Sequence, residues 1–222
     1  MLDFSKTFEK YEALVAEVDK IFTAMKEAHE DCVRCKTHCC DCCYAVFDLT
    51  LIESVYINYH FTKSLARKER RQILRRAEQA DRRFYQIKYK LMKMHIDQGK
   101  TPEEVLLQLS HERVACPLLD DEKLCGLYAR RPITCRVYGI PTSIGGKAHT
   151  CGESGFKDGT AYPTVNLDNL NDRLIELSKD LLKEVGTNNP NMHMSLVPVS
   201  AALMDAYDEE YFGLSSGRKT DA

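Results

Sequence analysis

Cys32-Val-Arg-Cys35-Lys-Thr-His-Cys39-Cys40-Asp-Cys42-Cys43 places six of the chain's ten cysteines within twelve positions, and Cys116, Cys125, Cys135 and Cys151 follow. A structural cysteine packs as a small hydrophobe and needs no other cysteine beside it. A thiolate ligand needs partners that converge on one ion or cluster. Cys32 to Cys35 and Cys39 to Cys42 are C-x2-C steps, and Cys35 to Cys39 is C-x3-C, which are metal-ligand spacings. A disulfide framework is the competing explanation and suits short secreted chains. Residues 1–10, MLDFSKTFEK, carry acids early and no apolar segment of the kind a secretory signal uses. Ten thiols in a reducing compartment are an oxidation liability unless metal occupies them, so metal and a cytoplasmic location are expected.

Working outward from this run, the preceding segment carries Phe4, Phe8, Tyr11, Val15, Val18, Phe22 and Met25 at alternating steps of four and three, with charged residues between them. That is one apolar stripe on a helix. Its continuation reaches His29 and Cys32, so the helix aims the first cysteine inward. After the run, Thr50-Leu-Ile-Glu53 has the form of a capping box and predicts a helix over 51–60. A longer helix is expected over 63–97, where Ile73, Ala77, Ala80, Phe84, Ile87, Leu91 and Met94 share a face. Two such heptad-patterned helices are expected to pair as an antiparallel layer. Gly99 ends the second, and Thr101-Pro-Glu-Glu104 opens another with its N-cap, first-turn proline and acids.

From Cys116 to Pro163 the periodicity disappears and glycines and prolines crowd in, which predicts a loop region ordered by ligand bonds more than by apolar burial. A last clear helix is expected over 167–185, on Leu167, Leu170, Leu174, Leu177, Leu181 and Val185, stopped by Gly186. Residues 200–207 suit a short helix, and no hairpin is apparent. The expected fold is mainly α: a helical layer or bundle of long amphipathic helices with a cysteine-rich, metal-organised loop region. It forms one domain over 1–213, with a flexible tail over 214–222. At 222 residues with 44% hydrophobic composition and no membrane-length apolar run, the chain suits a soluble globular protein.

Zinc and iron–sulfur clusters compete for the same thiolates. Structural zinc sites show separated pairs, four ligands to one tetrahedral ion. Here the knuckles overlap, and Cys39-Cys40 and Cys42-Cys43 are adjacent pairs whose side chains diverge, which suits different iron atoms better than one zinc. Bacterial ferredoxins likewise split one cysteine run between clusters and end it on Cys-Pro, a feature Cys116-Pro117 repeats. All ten cysteines are candidate ligands. The expected cofactor is an iron–sulfur cluster, of 4Fe–4S type, with zinc as the alternative. His38, His111 and His149 lie near cysteines and are expected as outer donors only.

The second cysteine set, Cys116-Pro-Leu-Leu-Asp, Cys125-Gly-Leu-Tyr, Arg131-Pro and Cys135-Arg-Val-Tyr, resembles the motif of the YkgJ-type cysteine-cluster family, the CxxCxxCC zinc- or iron-chelating domain. Upstream, Cys35, Cys39, Cys42 and Cys43 followed by Thr50 and Glu53 resemble that family's C-x2-C-x2-C-C run and helix start. The first gap is one residue longer here, and Cys32 and Cys40 are additional. The resemblance spans about residues 32–60 and 111–151, and it implies a metal-binding domain whose family has no single activity.

A cluster with four thiolates is anionic, and Arg130, Arg131, Arg136, Lys123 and His111 fall within the segments expected to wrap it. Cys35-x3-Cys39-x2-Cys42 also has the spacing of radical S-adenosylmethionine enzymes. A helix in place of a first β-strand, and Asp41 where an aromatic is usual, oppose that assignment. No catalytic triad, phosphate loop or dinucleotide fingerprint is present, so a redox partner protein is expected in place of substrate chemistry. Twelve cationic residues between Lys63 and Lys93 face three acids. The acidic first helix is expected to neutralise part of this charge. Arg70, Arg71, Arg75 and Arg76 are expected together on one exposed side as a docking surface, without specific nucleic-acid or membrane binding.

Overall fold

The computed structural model describes residues 2–187 and 189–214. Seven α-helices carry the described residues: α1 (Ser5–Ala28), α2 (Leu51–Ser64), α3 (Arg67–Gln98), α4 (Pro102–Ser110), α5 (Ile133–Val137), α6 (Leu167–Val185) and α7 (Val199–Met204). Five short strands complete them: β1 (Asp48–Thr50), β2 (Thr142–Ile144), β3 (Lys147–His149), β4 (Val165–Asn166) and β5 (Leu196–Pro198). β1 pairs antiparallel with β5, setting Leu49 opposite Val197. β2 lies between antiparallel β3 and parallel β4. The fold is mainly α, and the expected helices stand close to their predicted bounds. The strands do not form the β/α barrel of a radical S-adenosylmethionine enzyme.

The α1 stripe is buried at Phe4, Phe8, Tyr11, Val18 and Met25, and it packs with Leu170, Leu174, Leu181 and Leu182 of α6, with α2 and with α5 in the largest core. Glu53 closes the capping box on Thr50 at the start of α2. Gly99 and Gly186 end α3 and α6 in the left-handed conformation, at φ 64° and 75°, which glycine adopts without a Cβ penalty. α2 and α3 are separate because Leu65 and Ala66 are extended.

Four expectations need correction. α3 does not pair with α1; its buried face meets α7 and α4, so the two long stripes serve different cores. A second core joins Leu49, Ile57, Phe61 and Ile73 to Leu118, Leu127, Ala202 and Leu203, and a third joins Ala80, Phe84, Ile87 and Leu91 to Val114. The region 116–163 is not poor in buried apolar surface: Leu118, Leu119, Leu127, Ile133, Val137, Ile140 and Phe156 are all buried. Their irregular spacing follows an irregular backbone, so no helical or strand period marks them. A hairpin does exist, β2–β3, turned by Gly145-Gly146 at φ 56° and 74°, the positive φ pair of a two-residue hairpin turn. The acids of α1 also do not answer α3. Glu12, Glu17 and Asp19 pair with Arg130, Arg173 and Arg136, while Lys88, Lys90 and Arg83 of α3 pair with Asp48 and Glu112.

Leu214 packs on the first core, and residues 215–222 lie outside the described residues. No described helix is long and apolar enough to cross a membrane.

Candidate metal centre

After α1 ends, Cys32 N–H donates to His29 O and the Cys32 carbonyl accepts from Gly155, which anchors the run on the first core. The chain then turns at His38, held at φ 65°, with its Nδ1 2.9 Å from Glu122 O. A 3-10 turn follows over Asp41–Tyr44. There two distant segments meet antiparallel. Val114 N–H donates to Tyr44 O, Cys116 N–H donates to Cys43 O at 2.7 Å, and Ala45 bridges Arg113. Main-chain pairing therefore sets Cys43 beside Cys116. A second bridge, Leu119 with Cys125, and Gly126 N–H on Leu118 O close the loop that returns Cys125 to the same place.

Cys135 arrives on α5, whose position Glu53 fixes. This buried carboxylate accepts from Thr50 N–H and Oγ–H with one oxygen and from Ile133 N–H, the first amide of α5, with the other at 3.0 Å. One side chain thus caps two helices. Arg136, 7% exposed, locks the turn before α5: it donates to both oxygens of Asp19 and to the carbonyls of Arg131 and Ala129.

Cys42, Cys43, Cys116, Cys125 and Cys135 line one cavity of about 40 Å³, closed on its other sides by Ile57, Phe84, Leu118, Leu127 and Val199. That is more room than one water-sized body needs, at about 10–15 Å³. Arg131 also lines it, held by Nε to Tyr128 O at 3.0 Å and lying 3.7 Å over the Tyr128 ring. Burial pushes the Cys116 thiol up to about 12 and raises Cys125 and Cys135, because apolar surroundings penalise a thiolate. Backbone amides oppose this: Leu118 and Leu119 hydrogen-bond the Cys116 sulfur, and Leu127 hydrogen-bonds the Cys125 sulfur. A hydrogen bond from the Cys43 thiol, and next the Arg131 charge, hold Cys42 below the usual thiol range, while Cys43 is raised. Buried sulfurs with amide donors and one nearby guanidinium suit thiolates bound to a cation, which would displace their protons.

The other cysteines stand outside this cavity. Burial raises Cys35, and it lies within electrostatic reach of Cys39 and Cys42. A Cβ on residue 139 would collide with its sulfur, so Gly139 is what admits it. Cys151 lies 3.4 Å from Asp41 Oδ2, and Asp41 is also ion-paired to Arg113. Cys39 is exposed, and Cys32 and Cys40 do not line the cavity. Among the described residues no three Cys, His, Asp or Glu side chains stand close enough to hold one ion without rearrangement.

Of the cations expected around a cluster, only Arg131 lines the cavity. Arg130 pairs with Glu12 and Tyr56, Arg136 is consumed by Asp19, and Lys123 and His111 are exposed. His38, His111 and His149 do not line it. Sequence patterning gave no sign of the Asp41–Arg113 pair or of Glu53 reaching α5, since both contacts span segments far apart in the chain.

A family model described as "CxxCxxCC: Putative zinc- or iron-chelating domain" matches residues 31–152, which include both cysteine sets and the segments that bring them together. Comparison with curated proteins and with solved structures gave no match. Matched over more than half its length, this chain belongs to the CxxCxxCC family of zinc- or iron-chelating domains.

Proposed function

We propose that this protein binds an iron–sulfur cluster of 4Fe–4S type and serves electron transfer or redox support of a partner enzyme in the cytoplasm. One observation carries the proposal: five thiols, from Cys42, Cys43, Cys116, Cys125 and Cys135, line a single cavity, one more than a tetrahedral ion takes. Adjacent Cys42 and Cys43 both face it, as ligands shared among several iron atoms can. A cluster held there would supply one-electron chemistry at a potential set by burial, sulfur hydrogen bonds and nearby charge. The amides of Leu118, Leu119 and Leu127 and the guanidinium of Arg131 are this chain's own contributions to that tuning. The partner is proposed to be a protein, and neither nucleic acid nor membrane.

Zinc is the competing occupant, favoured by the Cys39-x2-Cys42 knuckle and named alongside iron in the family description. Anaerobic preparation separates the two. A brown protein containing acid-labile sulfide supports the cluster, and a colourless protein with zinc and no sulfide supports a zinc-stabilised interaction module.

A further inference from the structure

The inner face of α3 is consumed by two cores, yet its outer face carries a second periodic pattern. Arg71, Arg75, Glu78, Arg82, Tyr85, Tyr89, Met92 and Ile96 follow one another at steps of four and three, the spacing of a helix–helix seam, and all are exposed. The first half is cationic. Arg71 and Arg75 make no ion pair among the described residues, and Arg82 donates by Nε to Glu78 O at 3.2 Å and pairs with the Glu78 carboxylate at 3.8 Å, between two exposed side chains. The second half is apolar: Tyr85 is 71% exposed, Tyr89 46%, Met92 50% and Ile96 67%. Arg70 and Arg76, expected on this face, have turned to its flanks, where they donate to Thr62 O and Pro117 O. At 100° per residue they straddle the buried stripe and do not oppose it.

Charge and order along the seam identify its occupant. A single nucleic-acid strand uses cations interleaved with stacking rings; here Lys93 lies 5.1 Å over the Tyr89 ring from beside the seam, but along the seam itself the two chemistries occupy separate halves and the apolar half continues through Met92 and Ile96. A second copy laid parallel would set arginine against arginine. Laid antiparallel, it would press arginines onto the apolar half and leave their charge unanswered. We infer that the outer face of α3 docks an amphipathic helix of another protein, acidic where it meets Arg71, Arg75 and Arg82 and apolar where it meets Tyr85 through Ile96. The cationic half backs directly onto the metal centre, because Ile73 on the opposite side of the same turns packs in the core that also holds Cys116 and Cys125. The inference stands on the helix face and not on which metal the cysteines bind, so either can fail alone.

The test uses the full chain and fluorescent peptides of about 28 residues, four heptads, with glutamates on one half of the seam and leucines on the other, made in both chain directions. A control peptide carries lysines in place of the glutamates. One acidic peptide is expected to bind about tenfold or more tighter than the control. Arg71→Glu with Arg75→Glu, and separately Tyr89→Ser with Ile96→Ser, are each expected to weaken it by about tenfold, near 1.4 kcal/mol. Circular dichroism confirms that each variant is folded. Equal binding of the lysine peptide, no binding by either acidic peptide up to millimolar concentration, or indifference to either variant overturns the inference. So does tighter binding of a 20-nucleotide DNA or RNA strand at this face, or a dimer in sedimentation that the Tyr89/Ile96 variant dissolves.

Discussion

At the scale of single residues, Glu53 connects the helical frame to the metal centre. Its carboxylate is 4% exposed and satisfies Thr50 and Ile133 together, so removing it strands amides at the starts of both α2 and α5. Glu53→Ala should cost about 2–3 kcal/mol in urea unfolding, because buried donors left unpaired carry their desolvation penalty. It should also loosen Cys135, and metal content should fall with it. Burial raises the Glu53 carboxyl above its usual value of 4.5, with its hydrogen bonds opposing. A raised folded value adds stability that is whole below the unfolded value and lost as pH rises through the folded one. Glu53→Gln should therefore cost less near neutral pH than near pH 4.5; a cost that grows with pH would contradict this placement. The capping role was legible in Thr50-Leu-Ile-Glu53, but the reach to Ile133 was not. It depends on an eighty-residue separation in sequence that only the fold closes. Cys42, Cys43, Cys116, Cys125 and Cys135 were legible as ligand types. Their separation from Cys32 and Cys40 was not, although the longer first gap and the two additional cysteines marked where to look.

Among the elements, the long helices announced themselves because each buries one stripe, and a 3.6-residue period survives in sequence wherever a regular element meets a core. Their partners were not legible. Any two apolar stripes look complementary, so α1 and α3 appeared suited to each other, while in the fold α6 covers one and α7 and α4 cover the other. The region 116–163 hid its buried side chains for the converse reason, since an irregular backbone imposes no period on Leu118, Leu127 or Ile140. These anchors change what loss of metal should do. In hydrogen exchange, metal removal should raise exchange first over residues 35–43 and 116–131, where short turns and two isolated bridges hold the cysteines. α1, α6 and the buried Ile133 to Ile140 stretch should stay protected. Earlier opening of α1 or α6, with 116–131 unchanged, would show that the metal does not organise this region.

Taken as a whole, the molecule is a helical frame with three apolar cores, of which the second and third meet around one thiol-lined cavity. Charge is segregated over it. Three acids of α1 are spent on Arg130, Arg136 and Arg173, while Arg71 and Arg75 of α3 make no ion pair among the described residues. The near-neutral net charge of −2 conceals this division, which is why composition alone pointed to no partner. The proposed redox role rests on the cavity cysteines holding the metal. The most direct test is iron and sulfide content in anaerobically prepared single variants. Cys42→Ala, Cys116→Ala, Cys125→Ala and Cys135→Ala should each lose most of the iron and the visible absorption, while Cys32→Ala and Cys40→Ala keep both. Full iron and an unaltered spectrum in Cys116→Ala or Cys135→Ala, or loss confined to Cys32→Ala and Cys40→Ala, would contradict it.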